Sequence, residues 1–133
     1  MSTLQKFSIP TEREGFTDIT AQVRLTVQKS GIRSGICVVY CPHTTAAVTV
    51  NENADPDVVR DLLLGLTTAF PTRGDFRHFE GNSHAHLKAS ALGASLTFIV
   101  EGGDLLLGTW QAVYFCEFDG PRERNFYVKV AAS

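Results

Sequence analysis

Long apolar runs are what this sequence most conspicuously lacks. Its uninterrupted apolar stretches are far too short to span a bilayer, which argues against a helical membrane protein. The opening residues MSTLQKFSIPTEREG contain no apolar h-region, so no signal peptide is expected. Cysteine is scarce. Three residues, an odd number without secretory context, read as reduced thiols in a cytoplasmic protein. An excess of one charge is also missing. Twelve basic and fourteen acidic residues give a net charge of −2, and no run of like charge occurs. A nucleic-acid groove would show clustered Lys and Arg, so that partner is not expected. Repeats, linkers and low-complexity segments are absent too. The 133 residues are expected to form one domain, 1–133.

What is present suffices for a core. Hydrophobic residues make up 44% of the chain. A domain of this size buries roughly two-thirds of its extended surface, so neither metal nor disulfide is needed for folding. LQKFSIP alternates as a strand. FTDITAQVRLTVQKSG reads as a helix capped by Thr17 or Asp18, with Val23 and Val27 at i, i+4 and Gly31 just past its end. GICVVYC is β-branched and apolar throughout, and predicts a strand buried on both faces. AAVTVNE continues the β pattern. Asp55 as N-cap and Pro56 at N1 open the clearest helix, whose apolar face runs from Val58 to Phe70. TRGDFRHFEGNSH reads as a loop and HLKASALG as a short helix ended by Gly93. SLTFIV to EFDG reads as strand, Gly102-Gly103 turn, strand, and RNFYVKVAA as a last strand. The expectation is an α+β protein: an antiparallel sheet or β-sandwich core carrying two or three helices.

The segment CPHTTAAVTVNENADP concentrates polar chemistry. His43, Thr44 and Thr45 precede a strand; Asn51, Glu52, Asn53 and Asp55 follow it. Turn and cap roles account for Asn53 and Asp55. They leave Glu52 unexplained, an acid between strand and helix. His84-Ala85-His86 is a second candidate. In an extended segment two such imidazoles point the same way, but on an α-helix they diverge by about 200°. An ion shared by this pair therefore requires the helix to begin at or after His86. His43, His84 and His86, with Glu52 or Glu117, would make a divalent-ion set, zinc or magnesium. Cys37, Cys41 and Cys116 read as core thiols rather than as nucleophiles. Trp110, the one tryptophan, reads as core by the ordinary tendency of the residue. Arg122 and Arg124 flank a Gly-Pro turn. They are either solvated turn charges or a guanidinium pair for phosphate, with Lys88 as a third cation.

Taken together, HTTAAVTVNENADPDV and HAHLKASALGASLTFIVEGGDLLLGTWQAVYFCEFDGPRER, with the strand-rich N-terminus, resemble the YjbQ family from Phe7 to Val130. The resemblance implies a sandwich-like α+β domain that associates as a homotrimer. It also implies a secondary thiamine-phosphate synthase activity, which joins a hydroxymethylpyrimidine diphosphate to a thiazole phosphate and releases pyrophosphate. Matched motif by motif, the expected site comprises His43, Thr44, Thr45, Asn51, Glu52 and Asp55 from the first segment. The second supplies His86, Lys88 and Ser90, and the third Gly108, Thr109, Trp110, Gln111 and Glu117. Of these, Glu52, Asp55, Glu117 and Lys88 are the expected catalytic groups. Thr44, Thr45, Asn51, Ser90, Thr109, Trp110, Gln111 and Arg122 are expected to bind substrate. Some family members carry proline at the first position of the HxH pair, so His43 and His86 lead as ligands and His84 follows. The expected partner is a small phosphorylated metabolite. The alternatives are a metal-dependent hydrolase of such a metabolite and a non-catalytic trimeric binding protein. All of them place His43, Glu52 and His86 in one pocket near the start of the Pro56 helix.

Overall fold

The period-2 pattern at the two ends of the chain becomes one long antiparallel pair in the computed structural model, which describes residues 2–133. Strand β1 (Ser2–Pro10) and strand β8 (Glu123–Ala132) pair along their lengths, from Ser2 opposite Ala131 to Pro10 opposite Glu123. Strand β3 (Gly35–Tyr40) lies on the other side of β8, followed by β5 (Ser95–Glu101) and the two-residue β6 (Asp104–Leu105). The order in this five-stranded sheet is β1-β8-β3-β5-β6. A second sheet of three strands has the order β2-β7-β4, from β2 (Gly15–Asp18), β7 (Gln111–Glu117) and β4 (Ala46–Glu52). Among the described residues, three helices complete the α+β fold: α1 (Thr20–Ser30), α2 (Pro56–Ala69) and α3 (Ser83–Leu92).

Alternation along β7 explains the layering. Val113 and Phe115 face the five-stranded sheet and α1, in a core that includes Val23, Val27, Val39, Phe126 and Val128. Ala112, Tyr114 and Cys116 face the opposite way, against Ala85 and Ala89 of α3 and Val59, Leu63 and Leu66 of α2. The small sheet is thus covered on both sides. Each fully buried Val, Leu or Phe contributes about 1.5–3 kcal/mol by leaving water, which is what holds the layers together.

Several expectations change here. Residues 16–18 are strand rather than helix, because Phe16, Thr17 and Asp18 pair with β7 and so give it a second neighbour. Helix α1 starts at Thr20, whose N–H donates to Asp18 Oδ1 at 2.9 Å, and ends at Gly31 with φ +69°. The segment GICVVYC is covered on one face only. Cys37 and Val39 are buried, whereas Ile36 and Tyr40 are each 47% exposed, since none of the described residues covers them on the outer face of that sheet. Helix α2 begins as expected, with Asp55 Oδ1 accepting the Asp57 N–H at 2.9 Å, yet no residue of it is fully buried. The Gly102-Gly103 turn forms, but the chain from Leu106 to Trp110 is irregular. Trp110 is 62% exposed, not core.

One ion pair ties the layers at a single end. Glu117, the last residue of β7, is 1% exposed, and Arg124 of β8 is 5% exposed. Arg124 donates from Nε to Glu117 Oε1 at 2.7 Å and from Nη2 to Oε2 at 2.6 Å. Glu117 also accepts the Thr11 hydroxyl at 2.6 Å and the Asp119 N–H at 2.9 Å. Arg124 Nη2 reaches the Thr45 hydroxyl at 2.8 Å, just before β4. Burial works against ionisation of Glu117. The bonds from Arg124, Thr11 and the Asp119 amide outweigh it and hold the carboxyl below its ordinary pKa.

Removing one partner leaves the other buried and unpaired. Glu117→Gln is therefore expected to destabilise the protein by about 3–5 kcal/mol. Urea denaturation at neutral pH measures this. The double variant Glu117→Leu with Arg124→Met is expected to recover part of the loss, because no buried charge is then stranded.

Candidate functional site

The stretch from Cys41 to Thr45 crosses from β3 to β4, and so from one sheet to the other, over the ion pair. Cys41 anchors its start, with its N–H donating to the Ala94 carbonyl at 2.7 Å. The Gly93 carbonyl accepts the Val48 N–H at 3.2 Å, so the 93–94 link bridges both sheets. On this frame His43 is pinned to β8. Its Nε2 lies 3.0 Å from the Asn125 N–H and 3.1 Å from the Asn125 carbonyl oxygen. Its ring stands edge-on to Phe115, with centroids 6.3 Å apart.

Helix α3 brings His86 to the same place. His43, Thr44 and His86 form the shared neck of two adjoining cavities, of about 480 and 330 Å³. The larger is otherwise lined by Ala46, Ala89, Ser90, Gly93 and Ala94. The smaller is strongly polar, with Thr45, His78, Glu80, Asn82, Asp119, Arg122 and Arg124 in its walls. Arg122 donates from Nε to the Asp119 carbonyl at 2.7 Å and from Nη2 to Asp119 Oδ2 at 3.2 Å. Asn82 Nδ2 donates to the same carboxylate oxygen at 2.8 Å. Burial opposes ionisation of Asp119, but these bonds outweigh it and keep its pKa below the ordinary value. The Gly120 amide donates to the Arg13 carbonyl at 2.9 Å, and a side chain at Gly120 would collide with the Glu12 carbonyl oxygen. The 119–122 turn is thereby pressed against the 12–13 loop, which fixes Arg122 at the cavity mouth.

The expected residues divide into those this geometry assembles and those it does not. His43, Thr44, Thr45, His86, Ser90 and Arg122 line the cleft. His84 does not join them. Helix α3 begins at Ser83, so His84 and His86 lie about 200° apart around its axis and cannot share an ion. Lys88 lines neither cavity. It is 1% exposed, donates to Glu14 Oε1 at 2.6 Å and to the Thr67 hydroxyl at 3.1 Å, and its ammonium sits 5.8 Å from the Phe118 ring centre. Glu117 is enclosed beneath the cleft, and its oxygens are already engaged by four donors. It positions Arg124 and is not free to act as a base.

Glu52 is at the wrong end of its strand for the expected pocket. Ala46 pairs with Glu117 and Glu52 with Gln111, so β4 runs away from the histidines for six residues, about 20 Å. There Glu52, Asn51, Asp55, Thr109, Trp110 and Gln111 form a separate polar end. The Asn53 N–H donates to the Trp110 carbonyl at 3.2 Å, and the Tyr114 hydroxyl donates to the Glu52 carbonyl at 3.0 Å. Gln111 Oε1 accepts the Gly108 N–H at 2.8 Å, which shapes the LGTWQ turn. The start of the Pro56 helix belongs to this end and not to the cleft.

Three cleft residues escape sequence reasoning, His78, Glu80 and Asn82, and Asp119 is legible only as a charge beside the Gly-Pro turn. The His78 and His86 rings meet edge to face with centroids 5.2 Å apart. The only signal was a polar, histidine-bearing loop leading into a short helix. Among the described residues, no group of three His, Cys, Asp or Glu side chains stands in position to hold a metal ion. The thiols are core groups, as expected: burial pushes Cys37 up to about 11 and raises Cys41 and Cys116 as well.

Two antiparallel sheets with α3 closing a histidine- and arginine-lined cleft define the class of protein. The model of the UPF0047 protein YjbQ-like family matches residues 5–133, and the chain belongs to that family. The UPF0047 protein YugU of Bacillus subtilis is 53% identical over 121 residues, covering 90% of this chain and 92% of that protein. The UPF0047 protein MJ1081 of Methanocaldococcus jannaschii is 49% identical over 128 residues, with 96% and 93% covered. Among solved structures, a YjbQ/UPF0047 protein of Clostridium acetobutylicum superposes with a TM-score of 0.93 at 54% identity, covering 96% of this chain and 99% of that one. A YbjQ-like protein of unknown function from Sulfolobus solfataricus gives a TM-score of 0.95 at 34% identity, covering 100% and 99%.

The electrostatics of His43 set a pH dependence. Burial first, then the charge of Arg124, press its pKa below the ordinary 6.5, against opposing effects of Asn125 and Glu117. The unfolded chain then takes up the proton before the folded one does. The contribution of His43 to stability is complete above pH 6.5 and is lost as pH falls from there through the lower folded value. The expected result is a lower urea midpoint at pH 5.5 than at 7.5, with the difference reduced in His43→Gln.

Proposed function

We propose that the chain is a small-molecule enzyme acting on a phosphorylated metabolite, with the histidine cleft as its active site and a thiamine-phosphate synthase-like transfer as its reaction. One observation carries this reading: Arg122, Arg124, His43, His78 and His86 converge on a cavity of about 330 Å³ from four separate segments. The guanidinium fork matches phosphate oxygens, and preorganised cations stabilise charge that develops on a departing pyrophosphate.

In such a transfer the carbon–oxygen bond to the diphosphate breaks, and its electron pair leaves with the pyrophosphate. The thiazole nitrogen supplies the pair for the new carbon–nitrogen bond, so no proton needs to be moved at the reacting carbon. The task of the cleft is to hold the diphosphate, neutralise it as it leaves and exclude water. His43, kept neutral by burial and Arg124, donates or accepts a hydrogen bond there without adding fixed charge. A divalent ion fits best as magnesium carried in by the diphosphate, because that ion binds through substrate phosphates and one or two carboxylates. Glu80 and Asp119, both in the polar wall, are the carboxylates available.

Assembly as a homotrimer is part of the same proposal, from the family resemblance. It is supported by helix α2, which leaves Leu64 59% exposed and no residue fully buried in a single chain. Sedimentation equilibrium is expected to give about three times the mass of one chain, and a Leu64→Glu variant is expected to shift the equilibrium toward smaller species.

Pyrophosphate release from a pyrimidine diphosphate, measured with and without the thiazole phosphate, tests the reaction. Release that requires the acceptor supports transfer, and release without it identifies a hydrolase. Binding of the diphosphate with no release identifies a binding protein. His86→Ala and Arg122→Ala are each expected to lower turnover by about a hundredfold to a thousandfold, the range for losing one group that stabilises transition-state charge.

A further inference from the structure

The two ends of β4 leave opposite things unsatisfied. His43 and His86 stand at its Ala46 end, Glu52 and Trp110 at the other, about 20 Å away. At the far end Asp18, Glu52, Asp55 and Asp57 form no ion pair among the described residues. Trp110 and Leu106, in one irregular segment, are 62% and 61% exposed. The cleft has the converse shortage. Among the described residues the ring nitrogens of His78 and His86 meet no acceptor, and Arg122 is half exposed. Of the two acids in its polar wall, Asp119 is paired with Arg122 and Glu80 is not. The larger cavity presents Ala46, Ala89, Gly93 and Ala94, and Phe79, between two residues that line the smaller one, is fully exposed. The chain as a whole exposes 7578 Å², whereas a monomer of 14.5 kDa is expected to expose about 6900 Å². The surplus of about 700 Å² approaches the ~800 Å² that each partner gives up in a stable interface.

We infer that a second copy of this chain completes the cleft: the Glu52–Trp110 end of one copy seats on the histidine cleft of the next. Trp110 enters the cavity floored by Ala46, Ala89, Gly93 and Ala94, and Glu52 reaches the neck between His43 and His86. This rests on the homotrimer reading above, and adds where the copies meet and what each brings to the site. One chain carries both the unpaired acids and the donors without acceptors, and β4 holds the two sets apart, so a second copy is the partner that fits. Such a contact joins two different surfaces, head to tail, which is the kind that closes into a ring. The indole and the small-residue floor leave water together, an aromatic anchor in a pocket. The Glu52 carboxylate, uncommitted in its own chain, gains imidazole donors and gives the cleft an acid that no single chain places there.

A bimane label on Ser90→Cys, at the cavity rim, tests the inference, because an indole in near contact quenches its emission. Cys37, Cys41 and Cys116 are buried and their pKa values raised, so the label goes to the rim alone. Within one chain Ser90 and Trp110 lie at opposite ends of β4, out of contact. Labelled chains that also carry Trp110→Phe are expected to stay bright by themselves and to lose most of their emission after exchange with unlabelled, unsubstituted chains. Sedimentation of the same mixtures reports whether the labelled chains have joined. Glu52→Lys in the unlabelled chains, with a thermal melt matching that of the unsubstituted protein, is expected to restore the emission and to shift the mass toward single chains. Assembly without quenching overturns the composite cleft and leaves the trimer reading standing. Quenching and mass that ignore Glu52→Lys overturn the placement of Glu52. A protein that sediments only as a single chain ends the trimer reading and this inference together. No substrate enters these measurements, so their outcome is separate from the test of the reaction.

Discussion

The buried pair between Glu117 and Arg124 is the constraint on which the rest of this structure depends. Two charges in the interior are tolerable only when each lone pair and proton finds a partner. That condition recruits Thr11 after β1, the Asp119 amide after β7 and the Thr45 hydroxyl before β4. Four segments from opposite parts of the chain are thereby fixed at one end of the two sheets. The cleft lies over this knot. Its polar wall is in large part the outward continuation of the same network, through Asp119, Asn82 and Arg122.

The network also explains why acids and cations in this region divide their labour. Glu117 resembles a catalytic carboxylate by residue type and motif, yet its oxygens are all spoken for, so its effect on the cleft passes through Arg124. Lys88 is the same case in reverse: a cation that sequence reasoning assigns to phosphate is spent on Glu14 and Thr67, where it fastens α3 to α2 and to the 14–16 segment. What remains facing the cavity is a set of groups with spare hydrogen-bonding capacity. Arg122 is half exposed, and His43 has its Nε2 committed to Asn125 and no intramolecular partner for Nδ1 among the described residues. Spare capacity, more than residue type, marks the side chains able to meet a ligand.

Much of this was legible in the residues because it depends on short-range physics. Asp55 with Pro56 announces a helix start, Gly31 a helix end and Gly102-Gly103 a turn, since caps and turns are settled by neighbours a few positions apart. The alternation in RNFYVKVAA reads as a strand with one covered face, as found. Short-range reasoning fails where a distant partner decides. Phe16–Asp18 is strand only because β7 is there to pair with it. Trp110 is exposed because it stands in the irregular turn before β7, where none of the described residues covers it. The HxH pair loses its shared direction once α3 starts three residues earlier than the metal reading requires.

By itself, then, the sequence determined the α+β class, most element boundaries, the thiols as core groups, the resemblance to the YjbQ family, and His43, Thr44, His86 and Arg122 as polar residues of note. Only the tertiary structure decided which of the motif residues meet. Residues close together along β4 point toward opposite ends of the molecule, because an extended strand gains more than 3 Å with every residue. His43 and His86, forty-three positions apart, become neighbours because α3 packs across the strand that follows His43. Proximity in the chain sets local conformation; proximity in space, which makes a site, is set by what the sheets bury.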